Sequence, residues 1–163
     1  MAILAGDYLF AIASDIMAKL GTETVQHFAE TFRELVTGQM RETVGAREGE
    51  DEIEHYLTVI QEKTGVLIAS AGWLGALHSG ASVEHREALF SFGRNVGQIF
   101  QIVDDIIDVW ADPEVSGKVP GTDLREGVFT LPVLYAMRQE DTTGARLREI
   151  LTGPVTEDAL VAV

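Results

Sequence analysis

Twelve residues, Gly97-Gln-Ile-Phe-Gln-Ile-Val-Asp-Asp-Ile-Ile-Asp108, concentrate the side chains best suited to chemistry. Wound as a helix at about 100° per residue, they set Gln101, Asp104, Asp105 and Asp108 on one stripe about 100° wide. Gly97 extends that stripe one turn back, while Ile99, Ile102, Val103, Ile106, Val109 and Trp110 cover the opposite side. Carboxylates sharing a helix face repel one another by roughly a few tenths of a kcal/mol per pair even when exposed. A helix otherwise this apolar is expected to be buried, where the repulsion grows unless a cation offsets it. Magnesium suits such a site, because it takes hard oxygen ligands, keeps several waters and bridges one or two carboxylates to phosphate. The alternative is a solvated acidic face, and the apolar flanks argue against it.

The pattern Asp104-Asp-Ile-Ile-Asp108, preceded by Gly97-Gln98 and Phe100-Gln101, resembles the second aspartate-rich motif of the trans-isoprenyl diphosphate synthases, the polyprenyl synthetases. Other segments resemble the same family. Gly6-Asp7-Tyr8-Leu9 is similar to its Gly-Asp-x-Leu segment, with Asp7 either a local helix acid or a site residue. Gly38-Gln39 is similar to a Gly-Gln pair that lines the family's pocket. Lys63-Thr64 resembles a Lys-Thr pair that faces the cavity and contacts substrate diphosphate. Outside that resemblance, a lysine at the edge of an apolar run would snorkel to solvent. Gly117-Lys-Val-Pro-Gly-Thr-Asp123, followed by Leu124-Arg-Glu-Gly127, keeps a further family stretch, in which Lys118 is the phosphate cation. The chain departs from it at Val128, where many relatives carry a second lysine.

The resemblance implies an all-α fold, an isoprenoid-synthase-type helical bundle, with residues 1–163 as a single helical domain. It implies a prenyltransferase that condenses an allylic diphosphate with isopentenyl diphosphate, trans and head to tail, releasing pyrophosphate. Mg²⁺ would be held through Asp104, Asp105 and Asp108. Those three, Lys63 and Gln101 are the expected catalytic set; Lys63, Thr64, Gln39, Gln101 and Lys118 are the expected substrate contacts. A homodimer in the cytoplasm is also implied. The chain matches only the middle and later part of such a synthase, without the first aspartate-rich motif and the arginines that follow it. It is therefore expected to be a fragment, inactive alone, lacking N-terminal helices and the C-terminal end; a natural short subunit of a heteromeric synthase is the alternative.

The elements that must position these residues follow from periodicity. Ile3, Leu4, Tyr8, Ile12, Ile16 and Leu20 predict a helix over 1–20. Gly21 closes it, and Thr22 is expected to cap a second helix striped by Val25, Phe28, Phe32, Leu35, Val36 and Met40. Val44 to Asp51 reads as a connection. One helix is predicted from about Asp51 to Leu77, with Gly65, Gly72 and Gly75 making sense where helices pack closely or a ligand needs room. Ser82 caps the next, which runs to the aspartates. About eighteen irregular residues, 112–129, read as a lid or binding loop. Helices follow from Thr130, capped by that residue, and over 142–151, and another opens at Thr156.

Composition narrows the classes. The chain has 163 residues, 46% of them hydrophobic, with four prolines and no cysteine, which excludes disulfides and thiolate metal sites. A net charge of −14 disfavours nucleic acid and anionic membranes. Only Lys19, Lys63 and Lys118 are lysines, so their positions are informative. The longest apolar run, Gly65 to Leu77, is too short for a bilayer that needs about 20 residues. A class I terpene cyclase shares the helical architecture but carries a different second metal motif. A carboxylate-bridged di-iron bundle needs two Glu-x-x-His pairs, and only Glu52-Ile-Glu-His55 has that spacing.

Overall fold

Helices make up every regular element among the described residues of the computed structural model, namely 1–110, 120–152 and 155. In chain order they are α1 (Ala2–Lys19), α2 (Thr22–Val44), α3 (Glu52–Ile60), a π-helical segment (Gln61–Gly65), α4 (Val66–His78), α5 (Val83–Trp110), α6 (Thr122–Glu126), α7 (Leu131–Met137) and α8 (Thr142–Ile150). None of them is long and apolar enough to cross a membrane. The chain divides into two compact units, residues 1–44 with 59–97 and residues 45–58 with 98–163.

The first unit is built on glycine. A Cβ on Gly97 would stand 2.5 Å from the Gly65 Cα, and one on Gly93 would stand 2.6 Å from the Ala69 Cα. Residues four apart on each helix share a face, so the pairs 93–69 and 97–65 mark one close antiparallel crossing of α5 over α4 and the π segment. Gly38 of α2 makes a second such contact, since its Cβ would lie 2.6 Å from the Glu62 Cβ. Gly72 follows the expectation of close packing, with the Leu89 carbonyl at 3.2 Å, whereas Gly75 meets nothing within 4 Å. Val59, Ile60, Val66, Ala69 and Ala76 are buried here. A polar seam joins them. His27 Nε2 lies 3.0 Å from Ser70 Oγ, Thr31 Oγ1 donates to Ser70 Oγ at 3.3 Å, and the His27 ring stacks on Trp73 at 3.9 Å.

The second unit has its own core of Val133, Leu151 and Val155, with Leu124, Phe129, Met137, Leu147 and Ile150 packed against it. Asp51 organises its edge. Its Oδ1 accepts from the backbone N–H groups of Ile53 (2.8 Å) and Glu54 (3.1 Å), capping α3, and takes Arg138 Nη2 at 2.6 Å from the end of α7. Asp141 caps α8 in the same way through Gly144 N–H at 2.8 Å.

Four expectations need correction. The single helix over 51–77 contains a π segment at Gln61–Gly65, because an inserted residue widens one turn without breaking the apolar run. Residues 112–129 are not irregular throughout, since 122–126 form α6 between Gly121 (φ 71°) and Gly127 (φ 79°). Thr22 is the first residue of α2 rather than the residue before it. Thr130 takes the extended cap geometry of α7 but makes no side-chain cap bond. Lys118 and the helix opening at Thr156 lie outside the described residues.

Candidate active site

The acidic turn of α5 belongs to the second unit, and the burial expected of this helix is found on its acidic side. Asp105 and Asp108 are 3% and 8% exposed, while Ile99 and Trp110 are 62% and 70% exposed. Much of the apolar side, expected inside as well, is exposed, with Ile102 and Val109 half-buried. The acids go inside because donors wait for them there, which removes most of the cost of burying a carboxylate. Tyr56 OH donates to Asp105 Oδ2 at 2.5 Å, and Gln101 Nε2 donates to Asp105 Oδ1 at 2.9 Å. Asp108 meets the start of α6. Its two carboxylate oxygens accept from the backbone N–H groups of Thr122 (3.2 Å) and Asp123 (3.3 Å), and its carbonyl accepts from Gly121 N–H at 2.8 Å. Those are first-turn amides with no partner inside their own helix, at the end where negative charge is favoured. Asp104 is half-buried.

Burial and mutual repulsion shape the charges. Burial, then the charges of Asp108 and Asp105, pushes the Asp123 carboxyl up to about 6. Burial also raises Asp105, against the opposing pull of the Tyr56 and Gln101 hydrogen bonds. Tyr56 is raised by burial and by Asp105, so its phenol stays a protonated, neutral donor. A raised carboxyl makes the protonated form the one the fold prefers. The stability it contributes is complete below the unfolded value near 3.8 and is lost as pH rises through about 6. Asp123→Asn is neutral throughout. Without divalent metal it should unfold at higher temperature than the wild type above about pH 6, by about 2 kcal/mol after allowance for partial exposure, and match it below about pH 4. Thermal unfolding across that range reads the difference; equal curves at about pH 8 would rule out a strained Asp123.

The first unit holds a second polar group. Lys63 Nζ donates to Glu42 Oε2 at 2.6 Å, and Gln39 Nε2 donates to the same oxygen at 2.9 Å. Beside them Arg41 reaches Glu62 with Nε at 3.0 Å and Nη2 at 3.3 Å. Lys63 and Thr64 sit in the π segment, the kind of irregularity often found at functional sites. Gln39, expected from the resemblance to line a pocket, is exposed.

The structure thus joins Gln101, Asp105 and Asp108 with Tyr56 and the 121–123 backbone, and joins Gln39 with Lys63 through Glu42. Tyr56, Glu42 and Asp123 were missed as site residues. Asp123 stands in the Gly117–Asp123 stretch already singled out, whereas Tyr56 and Glu42 carry no local signal. Among the described residues no group of three or more His, Asp or Glu side chains converges to hold an ion. The donor set is nonetheless all hard oxygen, and magnesium asks for only one or two carboxylates beside water and phosphate. On that chemistry Asp104 and Asp108 fit the ion.

The polyprenyl synthetase family model matches residues 1–162. Nonaprenyl diphosphate synthase of Mycobacterium tuberculosis is 58% identical over 161 residues, 99% of this chain and 48% of that protein. The dimethylallyltranstransferase of the same organism is 48% identical over 157 residues, 96% of this chain and 47% of that one. Among solved structures, geranylgeranyl pyrophosphate synthase from Corynebacterium glutamicum, complexed with calcium and isoprenyl diphosphate, superposes with a TM-score of 0.89 at 65% identity. That match covers 99% of this chain and 50% of the other. The chain spans about half the length of the curated relatives it matches.

Proposed function

Because the chain belongs to the polyprenyl synthetase family, we propose that it serves a prenyltransferase that joins an allylic diphosphate to isopentenyl diphosphate, head to tail and trans. The observation that carries this reading is the internally braced Asp104–Asp108 turn, with Asp105 and Asp108 buried. A solvated acidic face would need no such bracing.

Magnesium, when bound, supplies positive charge where the departing pyrophosphate gains negative charge. Asp104 and Asp108 would hold it. Gln101 and Tyr56 fix Asp105, and the α6 amides fix Asp108, so the turn does not reorganise during reaction. Lys63 would exchange Glu42 for substrate phosphate and neutralise its charge, with Gln39 and Thr64 positioning it; Lys118 belongs to the same phosphate set. Loss of pyrophosphate leaves an allylic carbocation, the isopentenyl double bond attacks it, and a proton is lost. Homodimeric assembly and a cytoplasmic location belong to this reading and rest on the family resemblance. So does the proposal that the 163-residue chain alone offers only part of the diphosphate clamp.

The test incubates the full-length enzyme with labelled isopentenyl diphosphate and a series of allylic diphosphates. A longer prenyl diphosphate should form only when both substrates and Mg²⁺ are present, and EDTA should stop it. Consumption of the allylic diphosphate alone, with a hydrocarbon product, would instead indicate a terpene cyclase. Activity only after a second, different chain is added would indicate a heteromeric synthase.

A further inference from the structure

The buried face of α3 brings a tyrosine to the acidic turn, where it touches neither substrate nor ion and acts through Asp105 alone. Tyr56 is 8% exposed and lies 49 residues before its partner in sequence, yet its hydroxyl donates to Asp105 Oδ2 at 2.5 Å. The other carboxylate oxygen is taken by Gln101 at 2.9 Å, and Asp105 itself is 3% exposed. With a donor on each oxygen, the plane of the carboxylate is set.

The donor is itself held. Asp51 caps α3 and grips Arg138 at 2.6 Å, which ties the start of α3 to the end of α7 within the same unit. A tyrosine ring has only two side-chain torsions, and packing on all sides fixes both. Its chemistry matters as much as its place. A lysine or arginine here would orient Asp105 equally well but would cancel its charge. A phenol orients it and leaves the negative field of the turn intact for a divalent cation.

We propose that Tyr56 is a positioning residue of the metal site: its hydroxyl locks Asp105, which in turn fixes the backbone that presents Asp104. This rests on the magnesium reading of the motif. Outer partners of this kind commonly govern metal affinity, with losses of about 10- to 100-fold when they are removed.

The experiment is a double-mutant cycle in the full-length enzyme, with Mn²⁺ alone as the probe, titrated by electron paramagnetic resonance. Tyr56→Phe keeps the ring and removes only the hydroxyl. It should weaken Mn²⁺ binding by about tenfold. Asp105→Asn should weaken it at least as much, and the double variant no further than Asp105→Asn, because Tyr56 then has no carboxylate to act through. Unchanged affinity in Tyr56→Phe would overturn the proposal. So would losses that multiply in the double variant, which would mean that Tyr56 acts through general packing. Asp104→Ala separates the levels. If it binds Mn²⁺ normally, the metal reading itself fails. If it loses the ion while Tyr56→Phe keeps it, only the role of Tyr56 fails.

Discussion

Asp104→Ala should lower kcat/KM for prenyl transfer by about 10³-fold, the several kcal/mol expected when a metal clamp on a leaving group is lost. The three aspartates are not equivalent. Asp105 accepts from Tyr56 and Gln101, Asp108 accepts one amide from the start of α6 on each oxygen and keeps a lone pair on each, and both are buried. Asp104 is half-buried, the least buried of the three. Its removal should therefore act on the chemical step more than on the fold. Steady-state kinetics at saturating Mg²⁺, with circular dichroism and an unfolding midpoint on the same sample, separate the two. Near-normal turnover with an intact fold would reject the assignment of the ion to this turn.

Gly97→Ala should be, with Gly93→Ala, among the most damaging single-methyl changes in the first unit. The added Cβ would meet the Gly65 Cα at 2.5 Å and the Gly65 nitrogen at 3.1 Å. Both are backbone atoms inside helices, so no side chain can swing aside, and α5 must move off the π segment. Overpacking of this kind costs about 3 kcal/mol, near the upper end of the usual range. Gly75→Ala is the control. Its Cβ meets nothing within 4 Å, and alanine is the better helix former by roughly 1 kcal/mol. Urea unfolding should show a fall in midpoint for the first variant and a rise for the second. Equal midpoints would mean that the crossing is looser than its distances indicate.

Local pattern carried the helices a long way and the contacts hardly at all. Apolar periodicity marks α1, α5 and α8 within a residue or two, because a helix is mostly a local decision. It says which residues share a face but not which face turns inward. That is why the acidic turn and its burial could be expected while the exposure of the apolar side could not, and why Tyr56, far away in sequence, went unnoticed as the partner of Asp105. The short helix α6 escaped for a related reason. Five residues cannot sustain a helix by their own propensity, and this one starts where Asp108 receives its free amides. The π segment leaves no mark in hydrophobic spacing. Glu42, which gathers Lys63 and Gln39, looks in sequence like any surface acid.

The exposed apolar side of α5 also bears on how the chain should behave in water. Phe100, Val103, Ile106 and Trp110 stand between 41% and 70% exposed, and α1, which has no buried residue, adds Ile3, Leu4, Tyr8 and Leu9. Surfaces of this kind attract like surfaces. The opposing force is the net charge of −14, which keeps copies apart at neutral pH. Dispersion in water should thus depend on charge more than on a polar exterior. Salt shortens the reach of that repulsion to about 10 Å at 0.1 M, and acid removes it near the isoelectric point of about 4.5. Light scattering should therefore rise with added salt and as pH falls toward that point, and be lowest in dilute, near-neutral, low-salt solution.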